Sequence, residues 1–132
     1  MIPKAEWDHR DPALTALEPR TRPVAPGEEI FPGVHALALP GHTAGHTGFV
    51  IASHGARLLA FGDALLSSLQ IRHPEWSAVT DADPAGSGRR RRGLIAELLR
   101  PDTLGFGIHF ADVAFGRVRP HGAGDGAVWH PL

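Results

Sequence analysis

Hydrophobic patterning along this chain changes character near residue 34. Before that point six prolines, at positions 3, 12, 19, 23, 26 and 32, interrupt any regular apolar period. Residues 1–33 are therefore expected to form a mostly irregular lead-in, with one short helical turn around Lys4 to His9. Beyond it, apolar and polar positions alternate in "VHALAL" (34–39), which predicts a strand ending at Pro40-Gly41. Two apolar runs follow, "TGFVIAS" (47–53) and "RLLAFGD" (57–63), separated by a hairpin turn at His54-Gly55. Residues 64–80 lose the pattern and read as a loop, with "HPEW" (73–76) as a local turn. The next segment carries helix punctuation. Asp83 is placed to cap, Pro84 suits the first helical position, and Arg100-Pro101 forces a stop. "TLGFGIHF" (103–110) then reads as a short apolar strand, with "AFGRVRP" and "AVWHP" as further short strands. The expected fold is α/β of the α+β type, a mainly antiparallel sheet with one principal helix, forming one domain over residues 1–132.

Composition narrows the chemistry. Thirteen Lys and Arg offset fourteen Asp and Glu, so no global field draws the chain to nucleic acid or a membrane. There is no cysteine, which excludes disulfides, thiolate catalysis and zinc–thiolate sites. A transition metal would have to use His, Asp or Glu, a donor set that suits zinc, manganese, iron or cobalt. Nine histidines are many for this length. The first ten residues, "MIPKAEWDHR", lack the basic and apolar regions of a signal peptide. Apolar runs are strand-sized, well short of the ~20 residues of a membrane span, and a cytoplasmic protein is expected. Four consecutive arginines, Arg89 to Arg92, point in all directions on a helix and have no aromatic neighbours. They are expected to be the solvated first half of the helix rather than a nucleic-acid surface.

Four residues stand out as candidate ligands. His42 and His46 lie four residues apart in "PGHTAGH", and Asp63 and His109 each follow an apolar run. A lone His or Asp at such a place is ordinarily a cap or a surface residue. The combination is stronger, because strand ends in one layer lie along one edge. From spacing alone His46 is either a ligand or a hydrogen-bonding neighbour.

Five motifs in order, "PGHTAGH", "GD" at 62–63, "PEW" at 74–76, "DADPA" at 81–85 and "GIHF" at 107–110, resemble the carboxyl-terminal half of the metallo-β-lactamase fold superfamily. The resemblance is to its lactonase-like and organophosphate-hydrolase-like branch, and it covers the chain from about Pro32 onward. It implies half of an αββα sandwich and a metal-activated water that cleaves an ester, lactone or phosphotriester in a small-molecule substrate. It also makes His42, Asp63 and His109 the metal ligands. Asp63 would be the catalytic carboxylate bridging two ions, and His46 a residue that supports the turn. Leu65, Leu66, Ile71, Trp76, Phe110 and Phe115 are expected to flank the metal cavity, since the segments after Asp63 and His109 leave one edge of the sheet.

Two departures from the family follow. The superfamily's amino-terminal His-x-His-x-Asp-His is not in this sequence, and "ADV" at 111–113 replaces an expected Pro-Phe-Pro. The chain alone is then expected to be a poor hydrolase. Its sheet would leave an apolar face that favours self-association or a separate amino-terminal half. A non-catalytic remnant or metal-binding module is the alternative. Strong activity of the chain alone would call for ligands such as His73 or His35, from within the chain or across a dimer.

Overall fold

The fold is that of a computed structural model, which describes residues 2–3, 8, 16, 19–111, 113–122 and 126–132. The turn expected around Lys4 to His9 lies, Asp8 apart, outside these residues. The described strands run in chain order: β1 (Ile2–Pro3), β2 (Pro23–Val24), β3 (Glu29–Phe31), β4 (Val34–Ala38), β5 (Thr47–Ser53) and β6 (Ala56–Ala60). A 3₁₀ turn (Gly62–Ala64), a short helix α1 (Leu69–Arg72) and the main helix α2 (Pro84–Leu98) intervene. β7 (Thr103–Phe106), β8 (Phe115–Pro120) and β9 (Ala127–Pro131) complete the order. β1 and β2 pair in parallel, and β3 to β9 form one seven-stranded sheet in sequence order.

Every neighbouring pair in that sheet is antiparallel except β6 and β7, which are parallel. Antiparallel neighbours need only short turns, whereas a parallel pair needs a crossover, and α2 lies in that crossover. One consequence matters for function. β4 and β6 are each antiparallel to β5, so they run the same way, and β7 joins them. The carboxyl ends of β4, β6 and β7 therefore share one edge.

Asp83 caps α2 by accepting a hydrogen bond from the Gly86 N–H at 2.9 Å, with Pro84 at the start of the helix. The buried positions of α2 are Ser87, Gly88, Arg91, Leu94, Ile95 and Leu98, a spacing of three and four that makes one stripe. That stripe meets the sheet face carrying Leu59, Val118 and Ala127, with Leu37, Val50 and Trp129 packed at the margin. Trp129 lies flat against the sheet. A methyl group built on Gly116 would come within 2.5 Å of its ring.

Several expectations need correction. The lead-in is not purely irregular, because β3 joins the main sheet and β1 pairs with β2. The segment 64–80 contains α1, held by buried Gln70, which accepts from Leu66 N at 2.7 Å and donates to Trp76 O at 2.8 Å. The expected "HPEW" turn is present, with Trp76 N donating to His73 O. The strand expected over 103–110 ends at Phe106, since the chain turns back there with Phe110 N donating to Gly107 O. No helix among the described residues is long and apolar enough to cross a membrane.

Candidate functional site

Three of the singled-out residues sit just past the shared edge: His42 after β4, Asp63 in the 3₁₀ turn after β6, and His109 after β7. Residues that follow three separate strands meet there because those strands run the same way. Asp63 is the meeting point. Its Oδ1 accepts from His109 Nε2 at 2.5 Å, and its Oδ2 lies 3.6 Å from His42 Nε2. Asp63 is half-buried and His109 exposed, at 40 and 44 % side-chain exposure, and His42 is deeper at 19 %. The His109 hydrogen bond holds the Asp63 carboxyl below its ordinary range. Partial burial opposes this, and the electrostatic influence of the neighbouring His42, His109 and His46 rings adds to it.

His46 has a different task. Its Nδ1 donates to Leu39 O at 3.2 Å, and its Nε2 accepts from the Asp63 backbone N–H at 3.0 Å. Both ring nitrogens are thus spent on backbone, tying the loop after β4 to the Asp63 turn. Gly62 makes that contact possible. Its φ is +50°, and a methyl group there would approach His46 Nε2 to 3.0 Å.

Beneath His42 lies a buried pair. Asp81 Oδ1 accepts from His42 Nδ1 at 3.2 Å, and Asp81 Oδ2 accepts from Arg91 Nη2 at 2.5 Å. The Asp81 and Arg91 side chains are 0 and 1 % exposed. Burial pushes the Asp81 carboxyl up, but the hydrogen bonds from Arg91 and His42 outweigh it, and the carboxyl sits below its usual value. Arg91 therefore departs from the expected solvated arginine run. Arg89, Arg90 and Arg92 are exposed, while Arg91 faces inward on the buried stripe of α2. The signal was available, because position 91 falls in register with 87, 94, 95 and 98. Asp81 likewise lies in the "DADPA" motif, although nothing local marks it as a partner of His42, 39 residues away.

Of the six residues expected around the cavity, Leu65, Ile71 and Phe110 belong to the hydrophobic core. Nearness to Asp63 or His109 in sequence does not stop a side chain from turning inward. Leu66 is half-buried. Trp76 is exposed and stacks on His73 at 4.2 Å, and Phe115 packs on Phe106 with ring centres 4.8 Å apart. His35 lies on β4 with its Nε2 4.0 Å from a Glu29 carboxylate oxygen.

The donors at the edge are imidazole nitrogen and carboxylate oxygen, the set that zinc and similar divalent ions take. With one carboxylate oxygen beside each imidazole, the carboxylate would be placed between two ions if both were bound. His42 adds a second sign. A ring nitrogen hydrogen-bonded to a carboxylate, with the other nitrogen aimed at the site, is the usual environment of a metal-ligating histidine. The fit is partial. Each half offers one nitrogen and one oxygen, and among the described residues no three His, Asp or Glu side chains are grouped to hold one ion.

Comparisons with known proteins place the family and the fold. Residues 2–107 match the family model described as the metallo-beta-lactamase superfamily. No curated protein matches the sequence. Among solved structures, the fold is similar to AidC, a dizinc quorum-quenching lactonase in complex with a product. That match has a TM-score of 0.79 at 22 % identity, covering 90 % of this chain and 40 % of that one. A hydrolase, AbOPH, of the beta-lactamase superfamily matches with a TM-score of 0.78 at 22 % identity, over 91 % of this chain and 42 % of that one. A probable metal-dependent hydrolase from Staphylococcus aureus has a TM-score of 0.77 at 17 % identity, over 99 % and 52 %. The chain thus spans between 40 and 52 % of the length of these structures.

Proposed function

The chain belongs to the metallo-beta-lactamase superfamily, and from that premise we propose that it carries the His42–Asp63–His109 part of a metal-dependent hydrolase site for an ester, lactone or phosphotriester. One observation carries the reading: a single carboxylate, Asp63, faces a different imidazole with each of its oxygens. When bound, divalent ions supply the charge that polarises a carbonyl or phosphoryl oxygen and acidifies water. The residues of this chain do the holding. Asp63 would span two ions, His42 would offer Nε2 to one, and His109 would offer Nε2 to the other. His46, through the Asp63 backbone N–H, keeps the carboxylate at the edge. A lactonase and a second hydrolase among the structural neighbours support the reaction class. Zinc suits the all-nitrogen-and-oxygen donor set, as does manganese.

Two donors per ion are fewer than the three protein ligands a catalytic zinc ordinarily has. With only the donors of the described residues to draw on, the chain by itself is proposed to bind metal weakly and to turn over slowly. The same shortfall favours a second reading, a metal-binding module without catalysis. The test is zinc titration by calorimetry together with lactone and phosphotriester hydrolysis, on the chain and on Asp63→Asn. Zinc binding that Asp63→Asn weakens at least tenfold, with slow, chelator-sensitive turnover, supports the hydrolase. Binding without turnover, even when the remainder of a full-length homologous fold is supplied, favours the module. Zinc affinity indifferent to Asp63→Asn and to His42→Ala overturns the site.

A further inference from the structure

We infer that Arg91 is a positioning residue: acting through Asp81, it holds His42 in the tautomer whose Nε2 lone pair faces Asp63. The inference rests on the reading of His42 as a ligand, and it concerns how this chain presents that ligand.

The tautomer follows from donors and acceptors. Arginine has only donors and stays protonated, and an ionised carboxylate has only acceptors. Asp81 Oδ2 takes its hydrogen bond from Arg91 Nη2 and a second from the Ala78 N–H at 3.3 Å. That leaves Oδ1 for His42, whose Nδ1 must then carry the proton. A neutral imidazole protonated at Nδ1 has its lone pair on Nε2, the nitrogen that points at Asp63.

Arg91 is built to fix this frame. Nε donates to Ala64 O at 2.9 Å, next to Asp63 in the chain. Nη1 donates to Trp76 O at 2.6 Å and to Pro74 O at 3.5 Å. One guanidinium therefore joins the Asp63 turn, the 74–76 loop and the carboxylate beneath His42. Its position on α2 is one where Leu94, Ile95 and Leu98 share the stripe, and an apolar side chain would pack there without desolvating a charge. A buried ion pair is commonly no more stable than an apolar replacement of similar volume. Fixing the orientation of His42 is a reason for a charge at that place that packing does not supply.

The experiment reads the tautomer directly. Long-range ¹H–¹⁵N spectra of the metal-free chain are recorded at a pH of about 9, above the ordinary imidazole pKa of about 6.5, with circular dichroism confirming the fold. In the unaltered chain the His42 signal should be that of an Nδ1–H ring. In Asp81→Asn, the Arg91 and Ala78 donors claim the amide oxygen, which turns the amide NH₂ onto His42 Nδ1. The tautomer should invert to Nε2–H, and affinity for zinc alone should fall about 10- to 100-fold. Arg91→Met by itself strands a buried carboxylate and risks unfolding, so it is combined with Asp81→Asn. With Arg91 gone the amide is freer to rotate, and the inverted tautomer should give way to a mixture. A folded Asp81→Asn that keeps Nδ1–H, or full inversion persisting in the double variant, overturns the inference. An unaltered chain that shows the expected tautomers but binds no zinc overturns the hydrolase reading instead.

Discussion

On the helix side of the sheet Leu59, Val118 and Ala127 are 0, 5 and 2 % exposed, whereas on the same strands, or their neighbours, Phe49, Ile51 and Phe115 stand at 37, 39 and 45 %. The pairing register puts these two sets on opposite faces: Val50 lies opposite Leu59, while Phe49 and Ile51 lie opposite Ala60 and Leu58. Both faces are apolar, but among the described residues only one is covered by a helix. A strand that is apolar on both sides suits a sheet buried between two layers, and the described residues supply one helical layer. The covered face also carries the site's support, since Arg91 projects from the helix that covers it. Geometry at the edge thus depends on the packed face, while the open face has capacity for a further layer.

The comparison predicts a graded set of responses. Leu59→Ala removes a fully buried side chain from the packed face and should cost about 2–5 kcal/mol in denaturant unfolding. A loss under about 1 kcal/mol would mean that this face is far less consolidated than its burial indicates. Gly116→Ala forces a methyl group into Trp129 and the His130 carbonyl, which lie about 2.5 Å from it. It should cost about 1–3 kcal/mol by overpacking and perturb Trp129 fluorescence.

Ile51→Thr lies on the open face and keeps a β-branched side chain. It should change stability by about 0.5 kcal/mol or less, and light scattering should show weaker self-association. A large loss of stability there would break the comparison, because it would mean that the open face is buried in solution. The smallest effect concerns Glu97. The hydrogen bond from Arg57 on β6 holds its carboxyl below the ordinary value of about 4.5, against slight burial and with help from Arg100. A carboxyl lowered by folding contributes stability above its unfolded pKa and loses it as pH falls through the folded one. Glu97→Gln should therefore lower the unfolding free energy read from urea titration at pH 7, by about 0.5 kcal/mol or less for so exposed a pair. At a pH of about 3 the variant and the parent should converge.

Much of the fold was legible from local pattern. The alternation over 34–60, the hairpin at His54-Gly55 and the Asp83-Pro84 start of α2 depend on neighbours within a few residues, and they recur in the structure. The short elements were not legible. β3 is three residues long and α1 four, too short for a period to show. Side-chain direction was the other blind spot. Leu65, Ile71 and Phe110 have residue types equally at home in a pocket wall or a core, and Arg91 has a type that ordinarily faces water.

The sequence by itself determined the residue types along the sheet edge, the strand ends that carry His42, Asp63 and His109, and membership of the superfamily. All of these are set by short-range pattern and by ordered motifs. Tertiary structure decided that Asp63 divides its oxygens between two imidazoles, that His46 spends both nitrogens on backbone, and that Arg91 and Asp81 sit beneath His42. These contacts join residues 7 to 46 positions apart, most of them 17 or more. Which nitrogen carries a proton, and which way a carboxylate turns, is set by whichever donors and acceptors the fold brings to the same few ångströms, and no local period encodes that meeting.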